Sequence, residues 1–328
     1  MKLLILLHHR LDLWIVPAWF SERLRLEFLQ LEVVHLSSYD GAEAELRDAE
    51  VAFTLSLRPE QFAVANKLRW IHSPAAAVHQ LMFPELVNSE VIVTNGREVH
   101  GPVVAEHVIA LVFALAKALP QALRLQQEHE WGQEAIWNGR SRPREISGAT
   151  LGLVGLGSIG REVARHASAL GMRVIAVRER PEQGSPEGVQ QVFASSQIDS
   201  LLEQSDFVVL AVPITAATRG LINDERLAHM KPGAYLINVG RGPLIDEAAL
   251  VQALRDHKIG GAALDVFDQE PLPSDSSLWD LDNLLITPHT AGLTEKLWGR
   301  EYVLFAENLR RYLNHQSLVA IVDKHKGY

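Results

Sequence analysis

Three segments far apart in the chain each carry one polar side chain beyond a strand-forming run: Arg241 in INVGRGPL, Glu270 in ALDVFDQEPLP and His289 in ITPHTAG. A guanidinium grips a carboxylate at two points, and an imidazole exchanges protons near neutral pH. A carboxylate beside the imidazole favours the protonated ring and fixes its orientation. Together these groups suffice to bind a 2-oxo acid and protonate its carbonyl oxygen. Singly, each reads equally well as a surface charge or a turn residue, so the chemistry depends on all three meeting at one centre.

Such a meeting needs elements that deliver them. Apolar runs at 235–239, 262–267 and 284–287 place each side chain near the carboxyl end of a sheet strand, where open α/β sheets bind ligands. Upstream, LGLVGLGSIG (151–160) is an apolar strand entering a G-x-G-x-x-G turn, with a helical pattern behind it. Gly155 suits the bend, Gly157 lets a phosphate approach the backbone, and Gly160 allows close helix packing. The helix start adds free N–H groups and a favourable dipole. Strands are expected at 150–154, 173–177, 206–212, 235–239, 262–267 and 284–287, six in a doubly wound parallel sheet. A dinucleotide site beside an acid-base site implies hydride transfer.

The first hundred residues alternate strand-like runs (2–7, 33–36, 51–54, 70–72, 91–94) with helical segments such as 20–29, which predicts a smaller parallel α/β domain. After Gly101-Pro102, residues 103–119 read as a helix apolar on nearly all sides, needing cover from another domain or subunit. Residues 121–144 form a polar arm containing Trp131 and Trp137, and a last helix covers 293–313, ended by Asn314. Trp131, Trp137 and Trp298 read as packing or subunit-contact residues.

A chain of 328 residues favours two domains, and a net charge of −9 argues against a nucleic-acid partner, which needs a basic face. Without cysteine there are no disulfides, thiolate nucleophiles or Cys-metal sites, and a reducing cytoplasm is the expected location. The apolar opening at 3–7 meets His8, His9 and Arg10 too soon for a secretory core and reads as a buried strand. The 103–119 run, interrupted by Glu106, His107 and Lys117, is too short to span a membrane, so no membrane partner is expected. His79, His100 and His107 lack metal-ligand spacing, and no metal is expected.

The order GLGSIG, AVPITAATRGLI, then the Arg, Glu and His segments resembles the D-isomer-specific 2-hydroxyacid dehydrogenase family. The likeness covers nearly the whole chain, including the closing VDKHKGY (322–328), and is weakest before residue 95. It implies two Rossmann-like domains. A flavodoxin-like substrate domain takes residues 1–100 and 291–328, and a cofactor domain takes 101–290 with a dimerisation helix and arm at 102–145. The implied activity is reduction of a small 2-oxo acid, such as glyoxylate or hydroxypyruvate, to a D-2-hydroxy acid by a homodimer.

In that scheme Arg241, Glu270 and His289 are catalytic, and Gly240 and Gly242 leave room for substrate to approach Arg241. Ser158 and Ile159 lie over the pyrophosphate, and Val212, Pro213 and Thr218 flank the adenosine. Val239, Asp265, His289 and Ala291 border the nicotinamide, with a structural strand-end role as the alternative for Asp265. The place of the acid that usually binds the NAD ribose falls on Arg178, and Arg180 follows. Two guanidiniums suit a 2′-phosphate, so NADP is preferred; NAD returns if Glu179 turns inward. Backbone N–H groups of Ala76, Ala77 and Val78 serve the substrate carboxylate, from a loop, SPAAAV, that lacks the family's usual glycine and whose Pro74 has no N–H. Formate dehydrogenase shares the scaffold but pairs its histidine with glutamine, against Glu270. A nicotinamide-sensing regulator of corepressor type is the non-enzymatic alternative, and the intact triad argues for an enzyme.

Overall fold

The computed structural model describes residues 1–9, 11–140 and 142–328. Arg10, in the basic flank of the opening strand, and Ser141, in the expected arm, lie outside the described residues. The chain forms two compact units, Met1–His100 with Leu293–Tyr328, and Gly101–Gly292.

The first unit begins with β1 (Lys2–Leu6), α1 (Ala18–Glu27), β2 (Glu32–Leu36), α2 (Ala42–Leu46), β3 (Val51–Phe53), α3 (Pro59–Val64), β4 (Trp70–Ser73), α4 (Pro84–Val87) and β5 (Ile92–Asn95). Its strands are parallel, in the order β2-β1-β3-β4-β5, which is the flavodoxin-like arrangement expected. Alternation along β1 sends Leu3 and Ile5 to one face, against Phe20 and Leu24. Leu4 and Leu6 go to the other, against Ala42, Leu46 and Leu86.

Helix α5 (Arg97–Ala116) starts six residues before the sequence predicted, running through Gly101-Pro102. Pro102 stands at the sixth helical position, so only the bond to the Glu98 carbonyl is forgone, and that loss is tolerable near a helix start.

The second unit continues with α6 (Leu119–Gln127), α7 (Gln133–Asn138), β6 (Thr150–Val154), α8 (Ser158–Ala169), β7 (Arg173–Arg178), β8 (Gln191–Ala194), α9 (Ile198–Gln204), β9 (Phe207–Leu210), α10 (Asp224–His229), β10 (Tyr235–Asn238), α11 (Glu247–Arg255), β11 (Gly261–Leu264) and β12 (Leu284–Ile286). The sheet has seven strands, not six, in the order β12-β11-β10-β9-β6-β7-β8. Strand β8, the sequence QVFA at the sheet edge, is too short and too polar to show a period. From β6 the chain steps out to β7 and β8, then returns to β9 on the other flank, making β6 and β9 the topological switch point. Val104, Val108, Val112 and Leu115 of α5 cover one face against Leu151, Leu153 and Val209. Leu201, Leu227 and Leu250 cover the other against Val154, Val208 and Leu236.

Helix α12 (Leu297–Leu313) returns to the first unit, beginning four residues later than predicted and ending at Asn314. Its Tyr302, Phe305 and Leu309 enter the core around Phe20, Phe53 and Trp70. Beyond it the Val322 N–H donates to the Val93 carbonyl at 2.8 Å. Buried Asn308 binds both peptide groups of Val319, donating to its carbonyl at 3.1 Å and accepting its N–H at 2.7 Å. Asn308→Ala strands those groups, and we expect it to destabilise the first unit by about 2–4 kcal/mol in urea unfolding. An unchanged midpoint would mean that the tail is held by other contacts.

Candidate active site

Strands β10, β11 and β12 are consecutive parallel neighbours, so the loops leaving their carboxyl ends are adjacent. That adjacency brings His289 and Glu270 into contact and places the Arg241 guanidinium where it feels the Glu270 charge. The Nδ1–H of His289 donates to Glu270 Oε2 at 2.6 Å, while Oε1 accepts the Phe267 N–H at 3.0 Å. Glu270 is thus fixed by its own turn before it fixes the ring. With Nδ1 occupied, Nε2 is the nitrogen left to exchange a proton, and the His289 side chain is 51% exposed, open to a reactant. Burial pushes the Arg241 guanidinium pKa down, with the nearby Glu270 charge acting against it; a guanidinium remains cationic regardless.

Asp265 holds the loop that carries His289. Its carboxylate, 1% exposed, accepts the Thr287 hydroxyl at 2.6 Å and the Thr290 N–H at 2.8 Å on Oδ1, and the Ala291 N–H at 3.1 Å on Oδ2. Its backbone carbonyl accepts the His289 N–H at 2.9 Å. His289 adopts φ of 53°, a left-handed conformation that costs a non-glycine residue roughly 1–2 kcal/mol. Bonds to a charged acceptor contribute about 1.5–3 kcal/mol each, enough to hold it there. These bonds give Asp265 the structural role named as its alternative, with the Ala291 N–H as one of its donors.

The glycines beside Arg241 also do something other than expected. A Cβ on Gly242 would sit 2.0 Å from the Phe267 carbonyl carbon, and one on Gly240 would sit 2.9 Å from the Val212 carbonyl oxygen. That space is filled by neighbouring backbone, so these glycines seat the Arg241 turn against the strands beside it. Buried Asn238, which sequence reasoning passed over, shapes the same turn by donating to the Arg241 carbonyl at 2.8 Å and accepting the Gly240 N–H at 3.0 Å. Its one available signal was an amide placed at a strand end just before a glycine pair.

At the switch point the first glycine loop has the form a dinucleotide requires. Gly155 has φ of +107°, and a Cβ there would meet the Ala211 carbonyl oxygen at 2.6 Å. Gly160 lies so close to the turn that its Cβ would stand 2.1 Å from the Gly155 oxygen. At Gly157, by contrast, the N-cap of α8, a Cβ would meet nothing among the described residues within 4 Å, leaving room for a phosphate to approach the backbone. Ser158 and Ile159 form that first helical turn, and Val212 and Pro213 follow β9, with the Val212 side chain against Gly155. The fit is to a pyrophosphate on a helix start. Buried Val239 follows β10. Thr218 ties its own turn by donating to the Pro213 carbonyl at 2.8 Å, so its hydroxyl is engaged. Arg178 closes β7 and bonds the Gln183 side chain, while Arg180 starts the short 3-10 turn Pro181–Gln183.

In the first unit, the loop after β4 has its carbonyls turned inward. Gly96 N–H donates to Ser73 and Ala75 oxygens at 2.8 and 3.1 Å, Asn95 Nδ2 to Ala76 oxygen at 2.6 Å, and His100 Nε2 to Pro74 oxygen at 3.0 Å. In a trans peptide the N–H opposes the carbonyl, so the Ala76 and Ala77 N–H groups face away from those anchors, as an anion-binding loop requires. Val78 is buried, and its carbonyl accepts the Leu81 N–H at 2.8 Å. Among the described residues no cluster of three or more metal-ligating side chains occurs.

The glycine geometry separates two variants. Gly157→Ala should unfold like the parent yet lose at least tenfold in dinucleotide affinity by fluorescence titration, because its methyl group occupies the room left for the phosphate. Gly160→Ala should lower the melting temperature, since its methyl meets backbone. Unaltered affinity in the first variant would remove the loop from the dinucleotide site.

Known proteins share this chain's sequence pattern and fold. The model of the D-isomer specific 2-hydroxyacid dehydrogenase NAD binding domain matches residues 109–291. A glyoxylate reductase of Korarchaeum cryptofilum is 34% identical over 308 residues, covering 92% of this chain and 86% of that protein. A D-isomer specific 2-hydroxyacid dehydrogenase of Xanthobacter autotrophicus, solved with NADPH and MES, superposes with TM-score 0.85 at 31% identity, covering 100% and 99% of the two chains. An NADPH-dependent glyoxylate/hydroxypyruvate reductase of Sinorhizobium meliloti, solved with NADP and sulfate, gives 0.81 at 26% identity, covering 100% and 99%. With its glycine loop at the switch point and its Arg, Glu and His on three adjacent strand ends, this chain belongs to the D-isomer specific 2-hydroxyacid dehydrogenase family, nicotinamide-dependent oxidoreductases of small 2-hydroxy and 2-oxo acids.

Proposed function

We propose that this protein is an NADP(H)-preferring reductase of small 2-oxo acids such as glyoxylate or hydroxypyruvate, yielding the D-2-hydroxy acid. The observation that carries the reading is the 2.6 Å bond from His289 Nδ1 to Glu270 beside the Arg241 guanidinium. A nicotinamide dinucleotide held at the Gly155–Gly160 loop would supply the hydride for the 2-oxo carbon. As charge grows on the substrate oxygen, His289 delivers the proton from Nε2, and Glu270 steadies the ring's orientation. Arg241 pairs with the substrate carboxylate through its planar fork, setting which atom of the acid meets His289.

The NADP preference rests on Arg178 and Arg180 at the end of β7, where a guanidinium suits a 2′-phosphate and cannot accept from a ribose hydroxyl. The unburied side chains of α6 and the exposed Trp131 and Trp137 support a homodimer, in which a second copy covers the arm. Light scattering at twice the chain mass tests that assembly.

His289→Gln should lower kcat by about 10²- to 10⁴-fold while NADPH still binds. Near-normal turnover would remove His289 from the mechanism. Arg241→Ala should damage KM for the acid and kcat together. A panel of 2-oxo acids with NADPH and NADH, followed by chiral analysis of the product, tests the whole reading; an NADH preference overturns the cofactor assignment. In the double variant Arg178→Ala/Arg180→Ala, KM for NADPH should rise far more than KM for NADH.

A further inference from the structure

The geometry assigns to His107, on α5, the role of a positioning residue for His289, exerted through Thr287 and Asp265; the inference rests on the proposed role of His289. The Thr287 hydroxyl has one hydrogen, and it goes to Asp265 Oδ1 at 2.6 Å, because a carboxylate only accepts. His107 Nε2 lies 3.1 Å from the same hydroxyl oxygen, so it must carry the proton and donate. The tautomer of His107 is therefore fixed by proton accounting. Burial lowers the His107 pKa, with the Asp265 charge, 3.7 Å away, acting against it, which favours the neutral ring.

Thr287 is the first residue of the turn that presents His289. Its own N–H donates to the Leu264 carbonyl at 3.0 Å, and its carbonyl accepts the His289 N–H at 3.0 Å. The His107 bond holds the threonine rotamer that aims its hydroxyl at Asp265. Without that donor the hydroxyl is held by its bond to Asp265 alone, that bond is less firmly aimed, and the turn holding His289 at φ of 53° loosens. A displacement of 1 Å at a reacting group can cost on the order of 10²-fold in rate, so a partial loosening should be visible in kcat. His107 touches neither Glu270 nor His289 in this network, and its role is support.

The test uses the full-length enzyme with NADPH and glyoxylate. His107→Leu should lower kcat about tenfold with KM for NADPH unchanged. His107→Gln, whose amide N–H can replace the Nε2 donor, should recover to within about threefold of the parent. Thr287→Val carries the same test from the other end of the bond, should His107→Leu not fold. Combined with His107→Leu, it should cost little more than either change alone, the non-additivity of two groups in one chain of bonds. Parental kcat in His107→Leu, a Gln variant no better than Leu, or additive losses in the double variant would overturn the inference while leaving the role of His289 intact. Parental turnover in His289→Gln, run alongside, would overturn that role and this inference together.

Discussion

A single buried carboxylate organises the reaction side of the second unit. Asp265 is sealed from water and accepts three donors from Thr287, Thr290 and Ala291. A buried charge of this kind is tolerable only when its oxygens are satisfied, so the loop and the carboxylate enforce each other. The proposed proton donor, His289, rides on that loop in a backbone conformation it would not adopt unaided. Its ring then meets a carboxylate that has been fixed independently, since Glu270 is held by the Phe267 N–H.

The dinucleotide side obeys a different constraint, one of space and not of charge. Gly155 and Gly160 admit no side chain because backbone already lies where a Cβ would go, whereas a Cβ at Gly157 would meet nothing among the described residues. Two glycines build the turn and the third leaves it accessible. Gly240 and Gly242 follow the logic of the first two, packing strand-end turns against their neighbours so that Arg241 reaches the same region as Glu270. Reading them as clearance for substrate mistook where their missing side chains would have pointed.

Both units use one architectural device. Parallel strands put every loop that follows a strand on the same edge of the sheet, so residues distant in sequence become neighbours there. In the first unit that edge carries the Ser73–Val78 loop, its carbonyls held by Asn95, Gly96 and His100. In the second it carries both the glycine loop and the triad.

The amino-acid sequence by itself determined the periods and punctuation: five strands of the first unit, six of the seven in the second, the glycine turn, and the three side chains that converge. These were legible because apolar alternation, glycine spacing and charge beside strand ends are local properties. Strand β8 and the early start of α5 were not, since a four-residue edge strand carries no measurable period and Pro102 imitates a helix boundary that the first turns override. Nor did the sequence reveal the work of Asn238, Thr287 and His107, or the inward turn of Asp265. A hydrogen bond between residues 107 and 287 leaves no trace in spacing. Only folding decides which polar groups are buried together, and burial converts an unremarkable threonine or histidine into a group that must find its partner.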